Sequence, residues 1–109
     1  MSARRSTVER RAELVAELEQ LAAAKSAWWD ALRQANAEGV DGRRMSRLLA
    51  ESAEVDERAE QLRQRYFPRA GKLCITADET IGQTASAFTM SPRGRSIRTV
   101  WTAADGLAA

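Results

Sequence analysis

The side chains best equipped for chemistry in this chain are arginines. Arginine outnumbers lysine fifteen to two, and four of the arginines, Arg4, Arg5, Arg10 and Arg11, fall in the first eleven residues beside a single glutamate. A second cluster, Pro92-Arg93-Gly94-Arg95, lies near the other end. A guanidinium presents a planar fork of donors that matches phosphate and carboxylate oxygens, so such clusters point to anion recognition. A GC-rich coding sequence, which the many alanines also suggest, yields the same bias without a function. Other chemistry is scarce. The chain has no histidine, which removes His-based metal sites and Ser-His or Cys-His nucleophile pairs. Cys74 is the one cysteine; flanked by Leu73 and Ile75, it reads as a small buried hydrophobe. Gly39 and Gly42 flank a helix break without the Lys-Ser/Thr of a phosphate loop. Most carboxylates lie on expected helix surfaces among arginines. The expectation is a non-enzymatic protein with no cofactor and no metal.

Charge is unevenly spread. Residues 1–66 hold twelve basic and twelve acidic side chains, whereas residues 67–109 hold five basic against three acidic. Pro92-Arg93-Gly94-Arg95 resembles the Arg-Gly-Arg core of the AT-hook family. That resemblance implies a flat segment in a narrow A·T minor groove, followed by its arginines. The proline after the core and the extra flanking basic residues of that family are missing here. Residues 37–52 resemble the opening of a helix-turn-helix. No turn residue interrupts 51–55, and Asp56-Glu57-Arg58-Ala59-Glu60 puts three acids where recognition needs positive charge. Arg4, Arg5, Arg93 and Arg95 are therefore the expected nucleic-acid contacts, with DNA the expected partner.

The elements behind these residues are two long helices. Leu14, Leu18, Leu21, Lys25, Trp28, Leu32 and Ala35 recur at alternating spacings of four and three; Met45, Leu48, Ser52, Val55, Ala59, Leu62 and Tyr66 do the same. Each set lies on one helix face. A bend near Val40 pairs them from Leu14/Tyr66 to Ala35/Met45, with large residues meeting small ones at several layers. Ser6-Thr7-Val8-Glu9 fits a capping box opening the first helix, which runs to about Glu38. Gly39 and Asp41 suit the break, and Phe67-Pro68 ends the second helix, which starts near Gly42. The hairpin is similar in length to those of the WXG100 secretion-substrate family, but the bend has no Trp-Xaa-Gly.

The rest reads as a strand at Lys72–Ile75, a helix opened by Thr76-Ala77-Asp78-Glu79 with Ile81, Ala85 and Phe88 on one face, and a strand over Ser96–Thr102. Ala103–Ala109 reads as frayed. The expected fold is thus mainly α: a coiled-coil-like antiparallel helical hairpin plus a small strand-helix-strand unit. The expected organisation is a single domain over 1–109, with a basic tail at 1–6, the hairpin at 7–66 and the C-terminal unit at 67–109. Trp29 points about 100° from Trp28 and lies above Ala22 and Val15 at heptad spacing. That face takes the C-terminal unit, a second copy or a helical protein partner, with Trp29 as the candidate anchor. No apolar stretch is long enough to span a bilayer, and no membrane role is expected. One cysteine and no apolar leader suggest the cytoplasm. Two functions remain open: a regulatory or accessory protein that self-associates and contacts nucleic acid, or a structural module that binds a protein partner.

Overall fold

A computed structural model describes residues 6–77 and 85–108. Helix α1 (Thr7–Glu38) and helix α2 (Gly42–Tyr66) are followed by strands β1 (Lys72–Thr76), β2 (Ser86–Met90), β3 (Ile97–Thr102) and β4 (Gly106–Leu107). The strands form one antiparallel sheet in the order β1-β2-β3-β4. Both helices start at the caps expected from sequence. The Ser6 hydroxyl accepts from the Glu9 N–H at 3.1 Å and the Asp41 carboxylate from the Arg44 N–H at 2.8 Å, satisfying donors that the first helical turn leaves open. Gly39 ends α1 at φ 91°, a conformation that glycine tolerates. The Phe67 N–H donates to the Arg63 carbonyl at 2.7 Å, and Pro68 prevents a further turn. Helix α2 is continuous across 51–55, so the helix-turn-helix resemblance ends with the sequence.

None of the fourteen seam positions is exposed, and Leu14, Leu18, Leu21, Ala35, Leu48, Ala59 and Leu62 are buried. Polar atoms pin the pairing. The Trp28 Nε1–H donates to the Leu48 carbonyl at 2.6 Å, and Arg58 reaches across to the Gln20 side chain at 3.5 Å rather than along its own helix to Glu54. The helices do not stand alone. Leu18, Leu21, Ala22, Ala59 and Leu62 share one core with Leu73, Ile75, Ala87, Val100 and Trp101. The sheet thus covers the end of the hairpin near its termini. Ala22 is buried and Val15 packs against the core, but Leu49 remains 60% exposed. Of the face formed by Val15, Ala22 and Trp29, the C-terminal unit therefore reaches only the first two.

The C-terminal unit corrects the sequence reading. Ala85 is not helical and Phe88 is the centre of β2, so the expected helix does not extend to them; Thr76, where its capping box opens, is the last residue of β1, and 78–84 lie outside the described residues. Nor is 103–109 frayed throughout: Gly106 and Leu107 pair with Thr102 and Trp101. Leu73 opposite Thr89 and Ile75 opposite Ala87 face the helices, and Lys72, Cys74, Phe88 and Met90 face away. In β3 the register shifts: Ala87 faces Trp101 while Phe88 faces Thr99. Val100 is the extra residue of a β-bulge, which lets the neighbours Val100 and Trp101 both be buried.

Gly71 closes the unit at one end. A Cβ on it would stand 2.6 Å from the Pro92 Cα and 2.9 Å from the Pro92 N, both backbone atoms that cannot swing aside. Gly71→Ala should therefore destabilise the protein by about 1–3 kcal/mol, the range of overpacking changes. Urea unfolding measures this; an unchanged midpoint would show that the 67–71 link and the β2–β3 turn do not abut.

Candidate nucleic-acid interface

The β2–β3 connection is a closed turn built around Ser91. Its N–H donates to the Ser96 carbonyl at 2.9 Å, and its carbonyl accepts from the Gly94 N–H at 2.9 Å. Its hydroxyl accepts from the N–H groups of Arg95 and Ser96, at 3.0 and 3.1 Å. Gly94 adopts φ 69°, the left-handed conformation that glycine favours. Arg93 and Arg95 flank it, both exposed. The Arg-Gly-Arg segment is thus folded back on itself, and the flat conformation implied by the AT-hook resemblance is absent.

Antiparallel pairing brings other cations to the same end. Lys72 pairs with Met90 and Met90 with Ile97, so the start of β1, the end of β2 and the start of β3 lie side by side. Contact between Gly71 and Pro92 brings the link carrying Arg69 to the turn. Arg69, Lys72, Arg93, Arg95 and Arg98 are all exposed, and none makes an ion pair among the described residues. The described acids nearest this end are Asp56 and Glu60, which line a concavity beside Lys72. Glu60 is held by Arg63, whose Nε and Nη2 donate at 2.5 and 3.0 Å; Arg63 also donates to the Ala70 carbonyl at 2.6 Å. The Arg63 hydrogen bonds keep the Glu60 carboxyl below the usual glutamate range. That pair adds no net charge. Asp105 follows β3 at the opposite end of the sheet, while Asp78 and Glu79 lie outside the described residues. These five cations share one end of the sheet, with Lys72 on its outer face and Arg98 on the same face as Leu73 and Thr89.

Of the residues expected from sequence to bind nucleic acid, Arg93 and Arg95 fall on this surface, and Arg4 and Arg5 lie outside the described residues. Arg69, Lys72 and Arg98 were missed, although the scarcity of acids after residue 60 was the signal that pointed to them. Trp29 lies one helical turn beyond Lys25 and outside the core that the helices share with the sheet. It is half-buried, with its ring edge-on to Trp28 at 4.8 Å between centroids. Among the described residues, no acidic or cysteine cluster is arranged to hold a metal ion, and no helix is long and apolar enough to cross a membrane.

A concavity of about 320 Å³ lies between α2, Lys25 and β1, lined by Val55, Asp56, Ala59, Glu60 and residues 72–75. Lys25 crosses it to donate from Nζ to the Ile75 carbonyl at 2.6 Å. This ties α1 to the sheet, so the lysine of the helical seam has a structural partner.

No protein family, curated protein or solved structure matches this chain.

Proposed function

We propose that the protein is a small non-enzymatic accessory or regulatory protein that contacts nucleic acid through the basic end of its sheet. The hairpin supplies the rigid base and a surface for self-association. One observation carries this reading: Arg69, Lys72, Arg93, Arg95 and Arg98, dispersed over thirty positions of sequence, lie at one end of the sheet and make no ion pair among the described residues. Phosphate contacts release counterions, so the binding should weaken steeply with salt. Fluorescence anisotropy of a labelled random-sequence oligonucleotide, titrated at low and moderate salt, tests it. Replacing Arg93 and Arg95 together with alanine should weaken binding about tenfold or more at low salt and flatten the salt dependence by about one to two contacts. No binding even at low salt would rule the reading out.

The second reading is a module that binds a protein partner through the bend-proximal half of the hairpin. Leu49 supports it, being a large apolar residue left exposed beyond the reach of the sheet, with half-buried Trp29 as its candidate anchor. Trp29→Ala would then abolish partner capture while leaving the salt-dependent binding of oligonucleotides unchanged.

A further inference from the structure

We infer that the outer face of the sheet binds single-stranded nucleic acid, with bases laid on Phe88, Met90 and Ile97 and phosphates held by Lys72, Arg93 and Arg95. This rests on the basic end being a nucleic-acid contact and adds which form of nucleic acid it takes.

Strand parity defines the face. The row Cys74, Phe88, Thr99 and the row Lys72, Met90, Ile97 both point away from the helices. Where one face of an antiparallel sheet is solvated, its outward positions are ordinarily polar. Here Phe88, Cys74, Met90 and Ile97 are apolar, with Lys72 and Thr99 at the ends of their rows and the polar row Thr76, Ser86 and Thr102 beyond them. Ile97 is 66% exposed, and Phe88, Met90 and Cys74 are partly exposed and stand outside the core cluster. Three strands spaced about 4.8 Å apart give a platform about 10 Å wide, wide enough for a base. The Ser91 turn then carries Arg93 and Arg95 just beyond the Met90/Ile97 row.

The charge selects the occupant. A second copy of the face would add cations and no counter-charge, whereas a nucleic acid supplies the missing anions. The apolar surface then selects the form. A duplex keeps its bases stacked inside and offers this face only phosphates, while a single strand exposes base faces that stack on aromatic and apolar side chains beside a basic track. The closed turn agrees, since Arg93-Gly94-Arg95 is not laid out flat for a minor groove.

The test compares labelled oligothymidine with a duplex of the same length by anisotropy, using the full chain. The single strand should bind about tenfold tighter or more. Phe88→Leu keeps apolar volume but removes the ring's π-face, and should weaken single-strand binding about tenfold with duplex binding unchanged. Ile97→Ser, at an exposed position with little risk to folding, removes apolar surface without changing charge and should also weaken it with an unchanged melting temperature. This variant decides the matter if Phe88→Leu proves unstable. Equal binding of both forms, with both variants neutral, overturns the inference and leaves the electrostatic contact standing. Failure to bind either form overturns both readings. Co-sedimentation with phosphatidylglycerol vesicles by a protein that ignores oligonucleotides would also overturn both, in favour of an anionic lipid surface.

Discussion

Trp101→Ala should cost about 3–5 kcal/mol, the range for truncating a buried large aromatic residue, and should bring the protein close to unfolding. Trp101 is 2% exposed and is among the largest fully buried side chains, with Leu18 and Leu21 of α1. It faces Ala87, whose small side chain leaves room for the indole, and the bulge at Val100 turns it toward the helices. The same core holds residues from α1, α2, β1, β2 and β3. A void there would weaken the docking of sheet on hairpin, which Leu73, Ile75 and the Lys25–Ile75 bond also hold. Net stabilities of small proteins are about 5–15 kcal/mol, so one substitution removes a large share. Urea unfolding followed by circular dichroism should show a much lower midpoint or no folded baseline. Leu49→Ala, on the exposed stretch of α2, should stay within about 0.5 kcal/mol of wild type. A loss below about 1 kcal/mol for Trp101→Ala would mean that the sheet is not held through this residue.

The contrast between those two sites tracks what was legible in the sequence. Heptad spacing over 14–66 revealed the helices, their caps and the seam, since long periodic segments with Ser6, Gly39, Asp41 and Pro68 at their ends allow few alternatives. The sheet was only half legible. Ile81, Ala85 and Phe88 are spaced four and three apart, as on a helix. Yet Ala87 and Thr89 also alternate with Ser86, Phe88 and Met90, as on a strand, and five residues are too few for periodicity to arbitrate. Tertiary pairing with β1 and β3 decided it. The bulge hid the inward direction of β3, because strict alternation cannot bury both Val100 and Trp101. The basic end was legible as a charge imbalance but not as a place. Arg69, Lys72 and Arg98 become neighbours of Arg93 and Arg95 only through the antiparallel register and the Gly71–Pro92 contact.

Lys25→Ala should cost about 2–3 kcal/mol and should leave β1 prone to pairing with other chains. The reason lies in the hydrogen-bond phase of the sheet. The Ala103 N–H to Ala85 carbonyl and Ser91 N–H to Ser96 carbonyl bonds assign the odd-numbered residues of β2 to β3. The even-numbered ones therefore bond β1 at Thr76, Cys74 and Lys72. Leu73 and Ile75 thus turn their backbone groups to the outer edge of β1, the end strand of the sheet. An open edge is a template for association, and a charged side chain placed on it is one way to block it. Lys25 does this by bonding the Ile75 carbonyl, while its stem fills the seam beside Val55. Alanine removes both the charge-assisted bond, worth about 1.5–3 kcal/mol, and the stem packing. Lys25→Met separates the two effects: it keeps the stem, so the stability loss should fall to about 1–2 kcal/mol, but it unblocks the edge equally. Both variants should self-associate more than wild type in sedimentation velocity, with the Leu73 and Ile75 amides becoming protected from hydrogen exchange as concentration rises. If Lys25→Met is as stable as wild type and no more associated, the Lys25–Ile75 bond neither anchors the sheet nor guards its edge.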